Sequence, residues 1–201
     1  MKWGKMCNSG LNIDDFYAYM QEGRIVEADS PMSVLFNELA QEALKITVEL
    51  NNKYHTPEKV VEIFSVLTGK EVDKSFRMFP PFYTDCGKNI NVGKNVFINS
   101  GCKFQDQGGI YIDDGCLIGH NVVITTLNHD KNPEKRYSML PKPVKIGKNV
   151  WIGSNVTIIP GVTIGDNSII GAGSVVVKNI PDNTIAAGNP CRVIKNIESE
   201  V

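Results

Sequence analysis

From Ile146 to Ile169 the chain reads IGKNVWIGSNVTIIPGVTIGDNSI, and an aliphatic residue returns at every sixth position. Neither an α-helix nor an alternating strand has that period. The leading residues Ile146, Ile152, Ile158, Ile164, Ile170 and Val176 run without error. Upstream, Val92, Ile98 and Phe104 are six apart, and so are Ile112, Ile118 and Ile124, after a slip of two residues at GGIYI. Four positions after most leaders stands a second small or apolar residue, such as Cys102, Val122, Val156 or Ser174. Asn recurs three positions after them, as at Asn95, Asn121, Asn149, Asn155 and Asn167.

This period has a physical solution. A strand of about four residues and a two-residue corner make one flat side, and three sides close a triangular coil of about 18 residues. The leaders then stack inside as ladders and the small residues fill the space beside them. Asn and Gly suit corners because they tolerate positive φ. Each coil pairs with those above and below, so only the two ends are open edges. The pattern predicts a mainly β chain, a parallel β-helix over residues 76–190, followed by a C-terminal tail over 191–201.

Residues 1–75 have a different texture and predict a helical cap. Leu35, Leu39, Ala43, Ile46 and Leu50 line one helical face. Ser30-Pro31 and Thr56-Pro57 are paired N-cap and first-turn signals. Gly69 ends the helix that starts at Pro57, and a shorter helix is expected over Ile13 to Gln21.

Composition excludes several functions. Twenty-one basic against 22 acidic residues leave a net charge of −1, which predicts no bulk attraction to nucleic acid or to an anionic membrane. No apolar run approaches the ~18 residues that span a bilayer, and the N-terminus lacks the apolar core of a secretory signal. A cytoplasmic protein is expected. The five cysteines, Cys7, Cys86, Cys102, Cys116 and Cys191, form no CxxC pair, so neither a disulfide framework nor a zinc knuckle is expected.

Most of a solenoid is scaffold, and function is expected where the repeat breaks. It breaks on a large scale once, between Ile124 and Ile146, where TTLNHDKNPEKRYSMLPKPVK carries a protruding polar loop over about 125–143. Three histidines are present. His55 reads as a helix-end residue and His120 as an outward corner of the coil, both structural. His129 sits where the wall opens. A general base near neutral pH is most simply a histidine, and acyl transfer to a hydroxyl needs such a base and a donor to the developing oxyanion. No Ser or Cys lies in a nucleophile elbow, so no covalent route is indicated.

The stretch VKIGKNVWIGSNVTIIPGVTIGDNSIIGAGSVVVKNIPDNTIAAGNPCRVIKNI strongly resembles the C-terminal half of the maltose and galactoside O-acetyltransferases. The resemblance runs back through PPFYTDCGKNINVGKNVFINSGCKFQD and covers about residues 12–197. It implies a left-handed coil, acetyl-CoA as co-substrate with no metal required, and a homotrimer with active sites between subunits. It also implies site residues. His129 falls on the general base, Asn99 on a residue that holds the acceptor, and Asp85 on an acceptor-contacting position. Ser154 falls on the backbone N–H that faces the thioester carbonyl, and Trp151 on a Trp lying against the coenzyme. Ala172 falls beside the pantetheine arm, and Arg192 and Lys195 on cations that meet the coenzyme phosphates. An acidic sugar-contacting position falls on Tyr19. A second falls on Gln107, and its neighbour Asp106 is the substrate-binding candidate there. The flank TLNHD lacks the Pro that follows the histidine in the sugar enzymes. These departures all touch the acceptor side.

The implied function is acetyl transfer from acetyl-CoA to a hydroxyl of a sugar or related small molecule. Three alternatives stand beside it: a non-sugar acceptor such as an antibiotic hydroxyl or an amine, a non-catalytic β-helix binding module, and a zinc carbonic anhydrase. The last needs three histidines at each metal, and His120 and His129 are separated from His55 by the whole cap boundary.

Overall fold

A computed structural model describes residues 9–197. Cys7 lies outside them. Helices α1 (Ile13–Gln21), α2 (Pro31–Asn51) and α3 (Pro57–Thr68) precede a coil of short strands. Helices α2 and α3 start at the expected signals, and α1 covers the expected span. Asn12 caps α1 in a reciprocal pair with Asp15, Ser30 accepts from the Ser33 N–H, and Thr56 accepts from the Lys59 N–H. Gly69, at φ +70°, ends α3 in the left-handed conformation that a side chain would strain.

The coil has three faces. The first, a 7-stranded sheet, stacks Arg77–Met78, Phe97–Ile98, Leu117–Ile118, Trp151–Ile152, Ile169–Ile170 and Thr184–Gly188 in parallel. The second, 5-stranded, stacks Tyr83–Thr84, Lys103–Gln105, Val123–Thr125, Thr157–Ile158 and Val175–Val176. The third, 4-stranded, stacks Ile90–Val92, Ile110–Ile112, Val144–Ile146 and Thr163–Ile164. Register puts leader on leader, as in Ile98 with Ile118 and Ile152 with Ile170. The leaders are buried apart from Val92, which is half-buried, and their small companions are buried too. The Asn corners expected from the period adopt positive φ, from Asn95 at 55° to Asn167 at 58°.

Part of the segment read as a tail over 191–201 forms a strand, and residues 198–201 lie outside the described residues. Cys191–Asn196 turns back and pairs antiparallel with Thr184–Gly188. It closes the end of the first face, where the backbone groups of Thr184–Gly188 would otherwise lack partners.

The cap and the first coils share one core. Phe64 stacks on Phe76 at 4.6 Å, and Phe82 meets Phe104 edge-on at 5.1 Å. The Asn51 side chain donates to the Phe82 carbonyl and accepts from its N–H, at 2.8 and 2.9 Å. The Lys88 ammonium donates to the Leu67 carbonyl at 2.8 Å, capping the end of α3. A second cluster joins α1 and α2 to the coil through Phe16, Leu35, Phe36, Cys86 and Leu127.

Candidate active site

All insertions into the coil fall on one corner, between the second and third faces. The period demands six residues from leader to leader. Thr84 to Val92 and Phe104 to Ile112 each take two more, and Ile124 to Ile146 takes the whole polar loop. The slip at GGIYI is therefore a widened corner directly beneath the loop.

That loop is a ribbon. Leu127–His129 pairs antiparallel with Met139–Pro141, and a 3-10 turn at Pro133–Lys135 lies near its tip. Its base is held by the widened corner. The Thr126 hydroxyl donates to the Gln105 carbonyl at 2.6 Å, and the Leu127 N–H donates to Gln105 Oε1 at 3.2 Å. Its far strand is held by the cap, where Met139 and Val26 exchange N–H and carbonyl at 2.8 and 2.9 Å. Leu127, at the base of the ribbon, is buried, while Asn128 and His129, further out, are exposed. Among the described residues, no hydrogen bond occupies the His129 ring.

Met139 stands opposite His129, and it lines a cavity of about 340 Å³ together with Asp85, Gln107 and the α2 residues Phe36, Asn37 and Ala40. The Asp85 carboxyl is raised above its ordinary pKa by desolvation and then by Asp106, against hydrogen bonds from Gln107 and Gln105. Gln107 is 6 % exposed, and its Oε1 is buried without a hydrogen-bond partner among the described residues. A buried acceptor left unpaired costs about 1–3 kcal/mol.

Asp106 is not a substrate-binding residue. It is 0 % exposed. Its carboxylate accepts from the Thr84 hydroxyl at 2.6 Å and from the backbone N–H groups of Cys86 and Asn89 at 2.9 and 3.2 Å. Burial pushes its pKa up while these donors pull it down. The two inserted residues turn Asp106 inward to hold the corner, and Gln107 takes the position facing the cavity.

Asn99, Ser154 and Ala172 lie at the other end of the second face, at its corner with the first. Asn99 follows Ile98, Ser154 follows Gly153 two coils above it, and Ala172 follows Gly171 one coil higher. The stacking is tight. A Cβ on Gly119 would lie 2.7 Å from the Ser154 nitrogen, and one on Gly153 would lie 2.6 Å from the Ala172 nitrogen. Among the described residues, neither Ser154 nor Ala172 uses its backbone N–H in a hydrogen bond. Ala187 sits above Gly171, and its register partner is Arg192, which is exposed. Lys195 pairs in register with Ile185 on the first face and is exposed. Trp151, 53 % exposed, stands on the same face in a row with Phe97, Leu117 and Ile169.

One chain thus brings the candidates together as two groups. Asp85, Gln107 and His129 share one corner. Asn99, Ser154, Ala172 and Arg192 share the next, with the width of the second face between them.

Comparisons with known proteins agree with this architecture. The family model described as "Bacterial transferase hexapeptide (six repeats)" matches residues 143–178, and "Hexapeptide repeat of succinyl-transferase" matches residues 89–126. A galactoside O-acetyltransferase of Lactococcus lactis is 38% identical over 161 residues, 78% of this chain and 77% of the relative. The crystal structure of a maltose O-acetyltransferase from Clostridium difficile is 42% identical, with a TM-score of 0.82 over 90% of this chain and 96% of that one. The chain belongs to the hexapeptide-repeat maltose and galactoside O-acetyltransferase family.

A member of this family is an acyltransferase. A galactoside acetyltransferase solved in complex with coenzyme A, 34% identical, superposes with a TM-score of 0.78 over 91% of each chain. In this acetyltransferase the open N–H groups of Ser154 and Ala172, the small Ala172 side chain and exposed Arg192 are chemically suited to a ligand carrying amides and phosphates. Among the described residues no group of His, Cys, Asp and Glu is arranged to hold a metal ion, and no helix is long and apolar enough to cross a membrane. The histidines lie apart: His55 Nε2 is 2.8 Å from the Glu49 carbonyl at the end of α2, and His120 and His129 occupy different corners.

Sequence reasoning overlooked Met139 and the α2 wall, and treated Gln107 only as a departure. The signal was the two-residue slip. A hexad slip recurring on one corner marks the place where a coil has been opened for something other than packing.

Proposed function

We propose that this acetyltransferase moves an acetyl group from acetyl-CoA to a hydroxyl of a sugar or related small molecule, with His129 as general base. The observation that carries the reading is the exposed His129 imidazole, held on a two-stranded ribbon beside a cavity that offers Asp85 and Gln107. The acceptor lies in that cavity. His129 takes the hydroxyl proton as the oxygen attacks the thioester carbon. The Ser154 N–H meets the charge on the carbonyl oxygen, Asn99 holds the acceptor, and Trp151 lies against the coenzyme. Ala172 leaves room for the pantetheine arm, and Arg192 and Lys195 meet the phosphates. As the tetrahedral intermediate collapses the C–S bond breaks, and the proton on His129 passes to the departing thiolate, giving an ester and free coenzyme A.

The same reading makes the active enzyme an assembly. His129 and Ser154 stand at opposite ends of the second face, so a single chain does not bring base and oxyanion donor to one carbonyl. A second copy does, if its Ser154 corner abuts the first copy's ribbon, and repetition of that contact around an axis closes a ring. Threefold closure fits the triangular coil and the exposed apolar row through Leu117 and Trp151. Sedimentation at micromolar concentration is expected to give a trimer, and a monomer overturns this arrangement.

Coenzyme A release from acetyl-CoA, followed by free thiol across a panel of sugars, small alcohols and amines, tests the reaction. Transfer to hydroxyl acceptors is expected. Transfer confined to amines would replace the proposed acceptor class.

A further inference from the structure

The corner that carries Ser154 and Ala172 continues downward to a residue that the repeat alone marks as scaffold. Position by position, Ser100, His120, Ser154 and Ala172 stack on it, each two residues after its leader. His120 is bound into that stack through its backbone. Its N–H donates to Ser154 Oγ at 3.3 Å, and its carbonyl accepts from the Asn155 N–H at 2.8 Å. The coil below is tied in the same way, through the Asn121 N–H to the Ser100 carbonyl at 3.0 Å. With its backbone fixed between two coils, the residue is exposed, and its side chain projects from the corner.

We propose that His120 is a specificity-determining residue that hydrogen-bonds a non-reacting oxygen of the acceptor. The inference rests on the reading of the site given above, and it follows from direction. With the thioester carbonyl at Ser154 and the coenzyme running up over Ala172 towards Arg192, the space left for the acceptor lies below Ser154. On this corner that space is walled by His120 and, one coil lower, by Asn99. An imidazole there can donate through one ring nitrogen and accept through the other. It therefore selects an acceptor with an oxygen function beyond the reacting hydroxyl, a polyol rather than a simple alcohol. His129, on the ribbon at the opposite corner, remains the base. The two imidazoles reach one acceptor from two copies of the chain.

The test compares wild type with His120→Ala and His120→Asn. The acceptor is the best sugar or small alcohol from the panel, assayed beside a deoxy analogue. Loss of one hydrogen bond is expected to raise the acceptor KM of His120→Ala about 3–10-fold. The KM for acetyl-CoA and the kcat at saturating acceptor should hold, and Asn, which keeps a donor, should restore part of the loss. The deoxy analogue lacking the contacted oxygen should show no difference between wild type and His120→Ala. An unchanged acceptor KM overturns the proposal, and so does a collapse of kcat with KM intact, which would make His120 part of the chemistry. If wild type releases no coenzyme A with any acceptor, the acetyl-transfer reading falls and this proposal falls with it. The circular dichroism of both variants is compared with wild type, and a lost fold in His120→Ala shifts the decision to His120→Asn.

Discussion

His129 and Met139 face each other across an antiparallel ribbon whose two strands are anchored to different parts of the molecule. The first strand rests on the widened corner through Gln105, and the second rests on the cap through Val26. Directly opposed residues on such a pair project from the same side, so Met139, which lines the cavity with Asp85 and Gln107, is the neighbour of the imidazole. The cap is thereby part of the site, because it fixes the strand that faces the histidine.

Replacing His129 with Ala is expected to lower kcat by about 10²–10⁴-fold, the usual contribution of a positioned general base. The melting temperature should hold, because the ring is exposed and makes no hydrogen bond among the described residues. Steady-state kinetics decide it, and a variant that keeps more than a tenth of the wild-type kcat removes His129 from the role.

Gln107→Leu probes the cavity. Among the described residues its Oε1 is buried without a partner, and a donor from the acceptor would satisfy it. The substitution is expected to raise the acceptor KM about 3–10-fold, the worth of one hydrogen bond, and to leave the KM for acetyl-CoA alone. Equal acceptor KM values for variant and wild type would place the acceptor elsewhere.

Asp106→Ala is a stability experiment. It strips the acceptor from the Thr84 hydroxyl and from the N–H groups of Cys86 and Asn89, and each buried donor left unpaired costs about 1–3 kcal/mol. Urea denaturation is expected to show a loss of roughly 3 kcal/mol or more. A loss within ordinary surface values, about 0.5 kcal/mol, would contradict the structural role.

Tyr17 makes stability depend on alkaline pH. Its hydroxyl donates to the Lys88 carbonyl at 2.9 Å, and burial, with Cys86 and Asp106 nearby, raises its pKa from 10.0 to about 12. The unfolded chain therefore releases this proton first. The contribution of Tyr17 is fully present below about pH 10 and is lost as pH rises through about 12. Denaturation of wild type and Tyr17→Phe across this range should show a steeper decline for wild type. Parallel curves would mean that the hydroxyl is not held as described.

How much could be read from the chain differs between scaffold and site. The leaders and their small companions could be assigned to the interior because a period of six leaves them one direction to point. The helix starts were legible because Ser30 and Thr56 satisfy N–H groups within three residues. The closing strand Cys191–Asn196 was not, because its partner is chosen by an open sheet edge rather than by its own pattern. Asp106 was misread for a related reason. Its burial is decided by three donors from segments some twenty residues away in the chain, and nothing local marks an aspartate that will turn inward.

The sequence by itself determined the coil, the ladders inside it, the corner where it is interrupted and the one histidine carried by the interruption, because repeating side-chain size dictates what can stack. Only the tertiary structure decided which polar residues face a cavity, and that His129 and Ser154 occupy different corners. Those facts depend on how successive coils and the cap supply or withhold hydrogen-bond partners across space, which no repeat along the chain encodes.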